Sequence, residues 1–449
     1  MKSYYRIAGT VKFPEGLAAG EGREFNEIAL ARNGMGLPVL RGTSIAGAIR
    51  TALLENGLKK EDVEHWFGKA LEGNSEQGVS SKIRICDVVL KSKASEFRTH
   101  NMIDRNCGSV IDKGLFSIES LSPGTEGFFI LYLEPETLDS PEKILRALKH
   151  VFGGELLLGG NKNRGIGRMD ASSVKCLKVD VETAEGFAAW QNLRYRDRME
   201  DYSSQGEPFP EEDIRYKLNL DLTLKIPQGE DIVVGYGTTL SGLQGSPQYV
   251  YKSDGKKYWR IPGGTFRGVF RSWMTRLAKN EGCELRYQKK DLKADLVGWG
   301  GVESGEERKE IQENPECLND PILDLFGSLY KCGRIHFSDA YSVESVKSED
   351  VQKRTHVAID AFSGGTNPGM LFTNEVLTAG TFKMKVSVTP SHSGSAESWK
   401  RELNWLKKTL YALHLGIISI GSSKGSGLLE IENWDEVKEK LDEKMGGVN

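Results

Sequence analysis

Arg98-Thr99-His100-Asn101-Met102-Ile103-Asp104 decides how this chain is read, because 256 residues on it returns as Arg354-Thr355-His356-Val357-Ala358-Ile359-Asp360. The match continues without a gap. Gly108 meets Gly364, Leu115-Phe116 meets Leu371-Phe372, Glu119 meets Glu375, and Gly124-Thr125 meets Gly380-Thr381. A long internal period of this kind means that one structural module is used twice.

Working outward from that stretch, the order of neighbouring segments is also kept. Tyr4 to Phe13 alternates as a strand, and residues 14–36 follow as a loop rich in Gly and Glu with no clear period. The run from Leu37 to Arg50 (LPVLRGTSIAGAIR) then predicts a helix with Thr43 or Ser44 as N-cap and Ile45, Ile49 and Leu53 on one face. Its twin runs from Ile261 to Arg271, with Thr265 as cap and Phe266, Phe270, Met274 and Leu277 aligned. Trp66-Phe67-Gly68 and a strand from Lys82 to Asp87 match Leu325-Phe326-Gly327 and a strand from Arg334 to Asp339.

Past the repeated stretch, Phe128 to Glu134 and Phe382 to Val388 read as strands, and amphipathic helices are expected near Lys143 to Phe152 and Glu397 to Leu413. Each copy closes on a glycine loop, Leu158 to Arg168 (LGGNKNRGIGR) and Ile420 to Gly427 (IGSSKGSG). The charged interval from Arg196 to Asp213 shows no apolar period. The expected division is a module over 1–195, a linker over 196–214 and a module over 215–449. The element order suits an α+β fold of two tandem ferredoxin-like domains, each an antiparallel sheet with its helices on one face.

Bulk properties agree with two domains in 449 residues. With 38% hydrophobic and 27% charged residues the chain has a globular composition, and no apolar run reaches the roughly 18 residues of a membrane span. The opening MKSYYRIAGTVKF lacks a signal-peptide layout, and six irregularly spaced cysteines suit reduced thiols, so a cytoplasmic protein with no membrane partner is expected. At a net charge of −3, any nucleic-acid contact has to come from local basic loops.

Several motifs could carry chemistry. A glycine before a helix start, at Gly42-Thr43-Ser44 and Gly263-Gly264-Thr265, offers backbone N–H groups and a positive dipole end to a phosphate, with Arg50, Arg267 and Arg271 nearby; the same residues also describe a plain helix start. The glycine loops place Arg164, Arg168 and Lys424 where a backbone can pass close to a ligand, yet duplicated folds also need duplicated turns, and no Walker spacing follows. Arg98, His100, Arg105, Arg354 and His356 could lie along nucleic acid or could close a salt-bridged turn. Cys283, Cys317, Cys332 and His336 are the candidates for a structural Zn2+, without a paired Cys-x-x-Cys to support them.

Four features together resemble the RAMP superfamily, the backbone subunits of type III CRISPR effector complexes. They are the helix-1 motif Pro38 to Arg50, Phe67-Gly68 with Ile83 to Asp87, the segment His100 to Glu119, and the loop ending GGNKNRGIGRM. All four recur in the second half, as in the fused subunits of the type III-D branch. The resemblance implies a modified RNA-recognition fold with a thumb-like hairpin, here Arg98–Phe116 and Arg354–Phe372. It also implies a guide RNA, a complementary target RNA and other effector subunits as partners.

Many such proteins cut target RNA with an aspartate in the loop before helix 1, assisted by a divalent metal such as Mg2+. Here that place falls at Asn26, with Glu27 beside it; in the second copy it falls near Gly245-Ser246-Pro247, with Asp254 the nearest downstream acid. Two other readings stay open, a standalone metal-independent RNA-processing endoribonuclease of the same superfamily and a duplicated protein–protein adaptor.

Overall fold

The computed structural model describes residues 3–20, 27–69, 78, 80–92, 94–103, 110–133, 141–153, 156–160, 162–193, 206–210, 217–236, 243–252, 254–283, 285, 320–327, 333–391, 394–421 and 426–446. The chain divides into two compact units, residues 1–162 with 166–215 and residues 163–165 with 216–449.

The first unit contains β1 (Ser3–Phe13), β2 (Glu27–Ile28), β3 (Val39–Leu40), α1 (Gly42–Glu55), α2 (Lys60–Phe67), β4 (Ile83–Ile85), β5 (Val88–Lys91), β6 (Ser95–Ile103), β7 (Val110–Leu121), β8 (Thr125–Leu133), α3 (Pro141–Gly153), β9 (Leu156–Leu157), β10 (Arg168–Met169), β11 (Lys175–Asp180), α4 (Ala184–Leu193) and β12 (Glu207–Pro208). Among the described residues its main sheet runs β12-β11-β1-β8-β5-β3, with β4 also on β8, and every neighbouring pair is antiparallel. The period-2 pattern of β1 turns Ile7, Val11 and Phe13 to one face, where they meet Phe129, Leu131 and Leu133 of β8. Onto that face pack Ile45, Ile49 and Leu53 of α1 and Ile144, Leu148 and Val151 of α3. Each of these burials stabilises the fold by roughly 1.5–3 kcal/mol.

The interval 196–214 falls mostly outside the described residues. Its described part, 206–210, is tied down: β12 pairs with β11, and Phe209 is buried in the first core.

The second unit contains β13 (Leu218–Lys225), β14 (Gly235–Tyr236), β15 (Leu243–Tyr251), β16 (Lys257–Ile261), α5 (Gly263–Asn280), α6 (Pro321–Phe326), β17 (Ile335–Phe337), β18 (Ala340–Ser345), β19 (Val351–Ile359), β20 (Thr366–Leu377), β21 (Thr381–Val388), α7 (Ala396–His414), β22 (Glu430–Ile431) and α8 (Trp434–Gly446). Its central order β18-β21-β13-β22 repeats β5-β8-β1-β11 of the first unit, again antiparallel throughout. Leu218, Leu220, Leu222 and Leu224 face Phe266, Phe270 and Met274 of α5 and Leu403, Leu406 and Leu410 of α7. Both halves are therefore mixed α+β, with α1 and α3 in the first and α5 and α7 in the second packed on one face of a largely antiparallel sheet, while α4 meets β1 through Trp190 and Tyr4, a position of opposite parity to Ile7 and Val11.

Candidate nucleic-acid interface

The repeated stretch folds as a hairpin in each unit, and the two hairpins agree residue for residue. β6–β7 and β19–β20 begin and end at positions related by the same 256-residue offset. Ser95 pairs with Leu121 as Val351 pairs with Leu377, Asn101 with Leu115 as Val357 with Leu371, and the register shifts at the same place, between Asn101 and Ile103 and between Val357 and Ile359. Side chains repeat as well. The hydroxyls of Thr99 and Ser117 lie 3.0 Å apart and those of Thr355 and Thr373 3.1 Å apart. His100 stacks on Phe116 with ring centres 5.1 Å apart, and His356 on Phe372 at 5.3 Å.

Beyond Thr355 the same face of the second hairpin carries Val357, Leu371 and Ile359, all exposed, and the turn presents a fully exposed Phe362. The turn is shaped by Asp360, whose carboxylate accepts the Phe362 and Ser363 amides (3.0 and 2.7 Å) and the Ser363 hydroxyl. Those bonds, the Ser363 amide first, hold the Asp360 carboxyl below its ordinary pKa.

A groove of about 450 Å³ in the first unit lies where the helix-1 motif meets the glycine loop. One wall is the α1 face Ser44, Gly47, Ala48 and Thr51, spaced to look out from a single side of the helix. The groove is also lined by Val39, Leu40, Ala19 and Ala31 and by Gly159, Gly160 and Lys162 of the glycine loop, with Arg41 at the helix start. Small residues line it, and its charge comes from Lys162 and from Arg41, whose guanidinium also pairs with Asp87 (3.4 Å), a composition suited to ribose-phosphate and indifferent to base identity.

The helix starts differ from expectation. Neither Thr43, Ser44 nor Thr265 caps its helix; the N-cap positions are Arg41 and Pro262, with no side-chain cap bond. The capping oxygen comes from a later connection, β4–β5 in the first unit and β17–β18 in the second: the Gly42 N–H donates to Asp87 Oδ1 (2.7 Å) and the Gly263 N–H to Asp339 Oδ1 (2.8 Å). Each carboxylate thus satisfies an N–H expected to meet a phosphate. Glycine is required there for closeness, because a Cβ on Gly42 would lie 2.3 Å from the Ile85 carbonyl oxygen and one on Gly263 2.4 Å from that of Phe337. Thr43 and Ser44 are left exposed, Ser44 on the groove, while Arg50 is half-buried and Thr265 is half-buried.

Several expected RNA-contacting cations are spoken for inside the fold. Arg98, only 6% exposed, donates to Glu96 (3.0 Å), and Arg168 donates to Glu15 (3.0 Å). Arg267 donates to the Phe326 carbonyl (2.6 Å), and Arg271 is buried. Arg354 pairs with the buried Asp231 yet stays half exposed. Arg164 belongs to the second unit, where it lies over Gly264, while Gly165 bridges to Ser338. Arg105 and Lys424 lie outside the described residues. Arg41 and Lys162, which sequence reasoning passed over, stand inside two of the quoted motifs.

For the acidic candidates the strand register is informative. β2 runs parallel to β7, setting Glu27 beside Ser117 and Ile28 beside Ile118; β15 begins parallel to β20, setting Leu243 beside Thr373 and Gly245 beside Asn374. Ser117 and Thr373 are repeat partners, so Leu243 occupies the place of Glu27. Glu27 is exposed, and Asn26 lies outside the described residues. Asp254 sits beyond the other end of β15, about 25 Å of strand from Leu243. There it accepts the Tyr258 hydroxyl (2.7 Å) and the Lys256 amide (2.9 Å), bonds that hold its carboxyl below the ordinary range, the Tyr258 bond first.

Of the zinc candidates, Cys317 and Cys332 lie outside the described residues. Cys283 packs at the edge of the second core, and His336 lies on β17 opposite Ser387. Among the described residues no group of three or more His, Cys, Asp or Glu side chains is gathered for a metal, and no helix is long and apolar enough to cross a membrane.

No curated protein matches the chain. A family profile described as the RAMP superfamily matches residues 7–170 and again 236–430. Both hairpins, both helix starts and both glycine loops fall within these stretches, which cover most of the chain. The chain belongs to the RAMP superfamily, a membership that suggests a CRISPR-associated RNA-binding function.

Proposed function

We propose that the chain is a guide-RNA-binding backbone subunit of a type III CRISPR effector complex, in the double-module form of the type III-D branch. Each module is read as a ferredoxin-like, modified RNA-recognition domain, since the order β11-β1-β8-β4 and its twin β22-β13-β21-β17 place the first and third of these four strands at the centre. The observation that carries the reading is the pair of register-identical hairpins. A protein that follows a continuous polymer needs the same grip at intervals, and the RNA backbone is the part of a guide that repeats.

In this reading the groove beside α1 takes ribose and phosphate, with Arg41 and Lys162 neutralising charge and the Ser44 hydroxyl donating to a phosphate oxygen. The hairpin is the thumb. Its exposed Val357, Leu371, Ile359 and Phe362 form an apolar wedge that separates guide–target base pairs at the boundary between segments.

Target cleavage is assigned to the first module alone. Glu27 is exposed beside the thumb strand, and a single carboxylate is a fit for Mg2+, which keeps most of its waters and takes its remaining ligands from RNA phosphate. Bound there, the ion would polarise the scissile phosphate; Glu27 would hold it and orient the attacking 2′-hydroxyl. Leu243 offers no such ligand in the second module. Co-purification from the native host tests the main reading: RNA of uniform length together with effector subunits is expected, and a preparation free of nucleic acid contradicts it. For cleavage, Glu27→Ala in the assembled complex removes the cuts made by this subunit, and Asp254→Ala keeps them all.

A further inference from the structure

The second unit has a feature that the first lacks. Between Ile28 and Val39 the first unit turns through Asn33-Gly34-Met35-Gly36 with no aromatic residue. The corresponding interval of the second unit is the long hairpin β15–β16, which carries Tyr249, Tyr251, Tyr258 and Trp259 together with Lys252, Lys256 and Lys257.

Its register sets Tyr249 opposite Trp259 and Tyr251 opposite Lys257, so these four side chains share one face. Trp259 is part of the second core, with its indole N–H donating to Asp350 (3.4 Å). Tyr249 and Tyr251 lie outside that core, 44% and 49% exposed, with their rings edge to face at 6.0 Å. Lys257 Nζ stands 4.3 Å from the centre of the Tyr249 ring and 5.4 Å from that of Tyr251.

Exposed cation–π contacts stabilise a hairpin only weakly, so folding alone gives little reason for two half-exposed rings beside an ammonium. The combination suits single-stranded nucleic acid, whose bases stack on any aromatic face and whose phosphates take the cation. Charge points the same way: Lys252, Lys256 and Lys257 outnumber Asp254 at this hairpin in a chain of net charge −3.

We propose that the Tyr249–Tyr251–Lys257 face is a stacking platform for unpaired nucleotides of the bound RNA, present in the second repeat and absent from the first. It rests on the RNA-binding reading above and adds a second, base-contacting mode to a backbone grip.

The test uses the full-length chain and a short oligouridine carrying 2-aminopurine. Stacking quenches the probe in the wild type and in Y249F/Y251F. The Y249L/Y251L variant loses the quench and binds about fivefold more weakly for each ring removed. K257M lowers the slope of log affinity against log salt by about one phosphate contact. An oligonucleotide with abasic residues in place of bases repeats the loss on unaltered protein, which keeps the test valid should the leucine variant misfold. Unchanged quench and affinity in the leucine variant overturn the platform while RNA binding stands, as does a leucine variant that keeps its RNA and sheds a protein subunit. Failure of the wild type to bind any RNA overturns the reading beneath it.

Discussion

Arg98 and Arg354 occupy one place in the repeat and are neutralised differently. Arg98 uses Glu96 on its own strand; the matching position in the second copy is Gln352, and Arg354 turns to Asp231. Asp231 is 2% exposed and its Oδ1 makes no hydrogen bond, so removing the arginine strands a buried charge. Because Arg354 is half exposed and water can partly replace it, R354M is expected to cost about 1–3 kcal/mol in urea unfolding, with D231N restoring most of the loss in the double variant. In the groove, R41A and K162A should each reduce the salt dependence of RNA binding by about one counterion without changing sequence preference. At the tip of the second hairpin, Asp360 has a depressed folded pKa, so its turn bonds contribute fully above the unfolded value and are lost as pH falls through the folded one; NMR titration of the Ser363 amide should report that loss at acid pH, and D360A should abolish it. At this scale the sequence was least legible. Glu15 and Arg168 meet across 153 residues and Arg267 meets the end of α6, and neither partnership leaves a local mark.

Among the elements, the hairpins were legible because a repeated segment keeps its register when the same residues fill the same pleat. Helix positions were legible too: Ile45, Ile49 and Leu53 bury as their spacing requires, and α3 and α7 extend one or two residues beyond the expected limits. The caps were not. A local Ser or Thr is the usual sign of a helix start, whereas Asp87 and Asp339 reach theirs from strand connections 45 and 76 residues further along the chain. D87A and D339A should therefore each cost about 1 kcal/mol, whereas Thr43→Ala, read by the same unfolding curves, should change stability little. The loop 14–36 also concealed structure. Leu17, Ala18, Leu30 and Ala31 are buried, and Glu119 binds the segment by accepting the Leu30 amide (3.0 Å) and Arg32 (2.9 Å). Those contacts reach some 90 residues along the chain, beyond any periodic signal.

For the whole molecule, duplication explains both what is shared and what has diverged. The central sheet order, the helix starts closed by a carboxylate from a later strand connection, and the glycine turns at Gly159 and Gly421 are common to both copies. Leu243 in the place of Glu27 and the aromatic hairpin at Tyr249 are not, so the copies are expected to share backbone binding and to differ in cutting and base contact. The central claim is that both thumbs engage one RNA at regular spacing. It is tested by placing a photo-crosslinking phenylalanine at Thr99 or at Thr355 and mapping the adducts on the co-purified RNA. The account predicts one crosslink from each position, at two points separated by a constant interval whatever the guide sequence. Adducts from only one of the two positions, or an interval that changes with sequence, would contradict it.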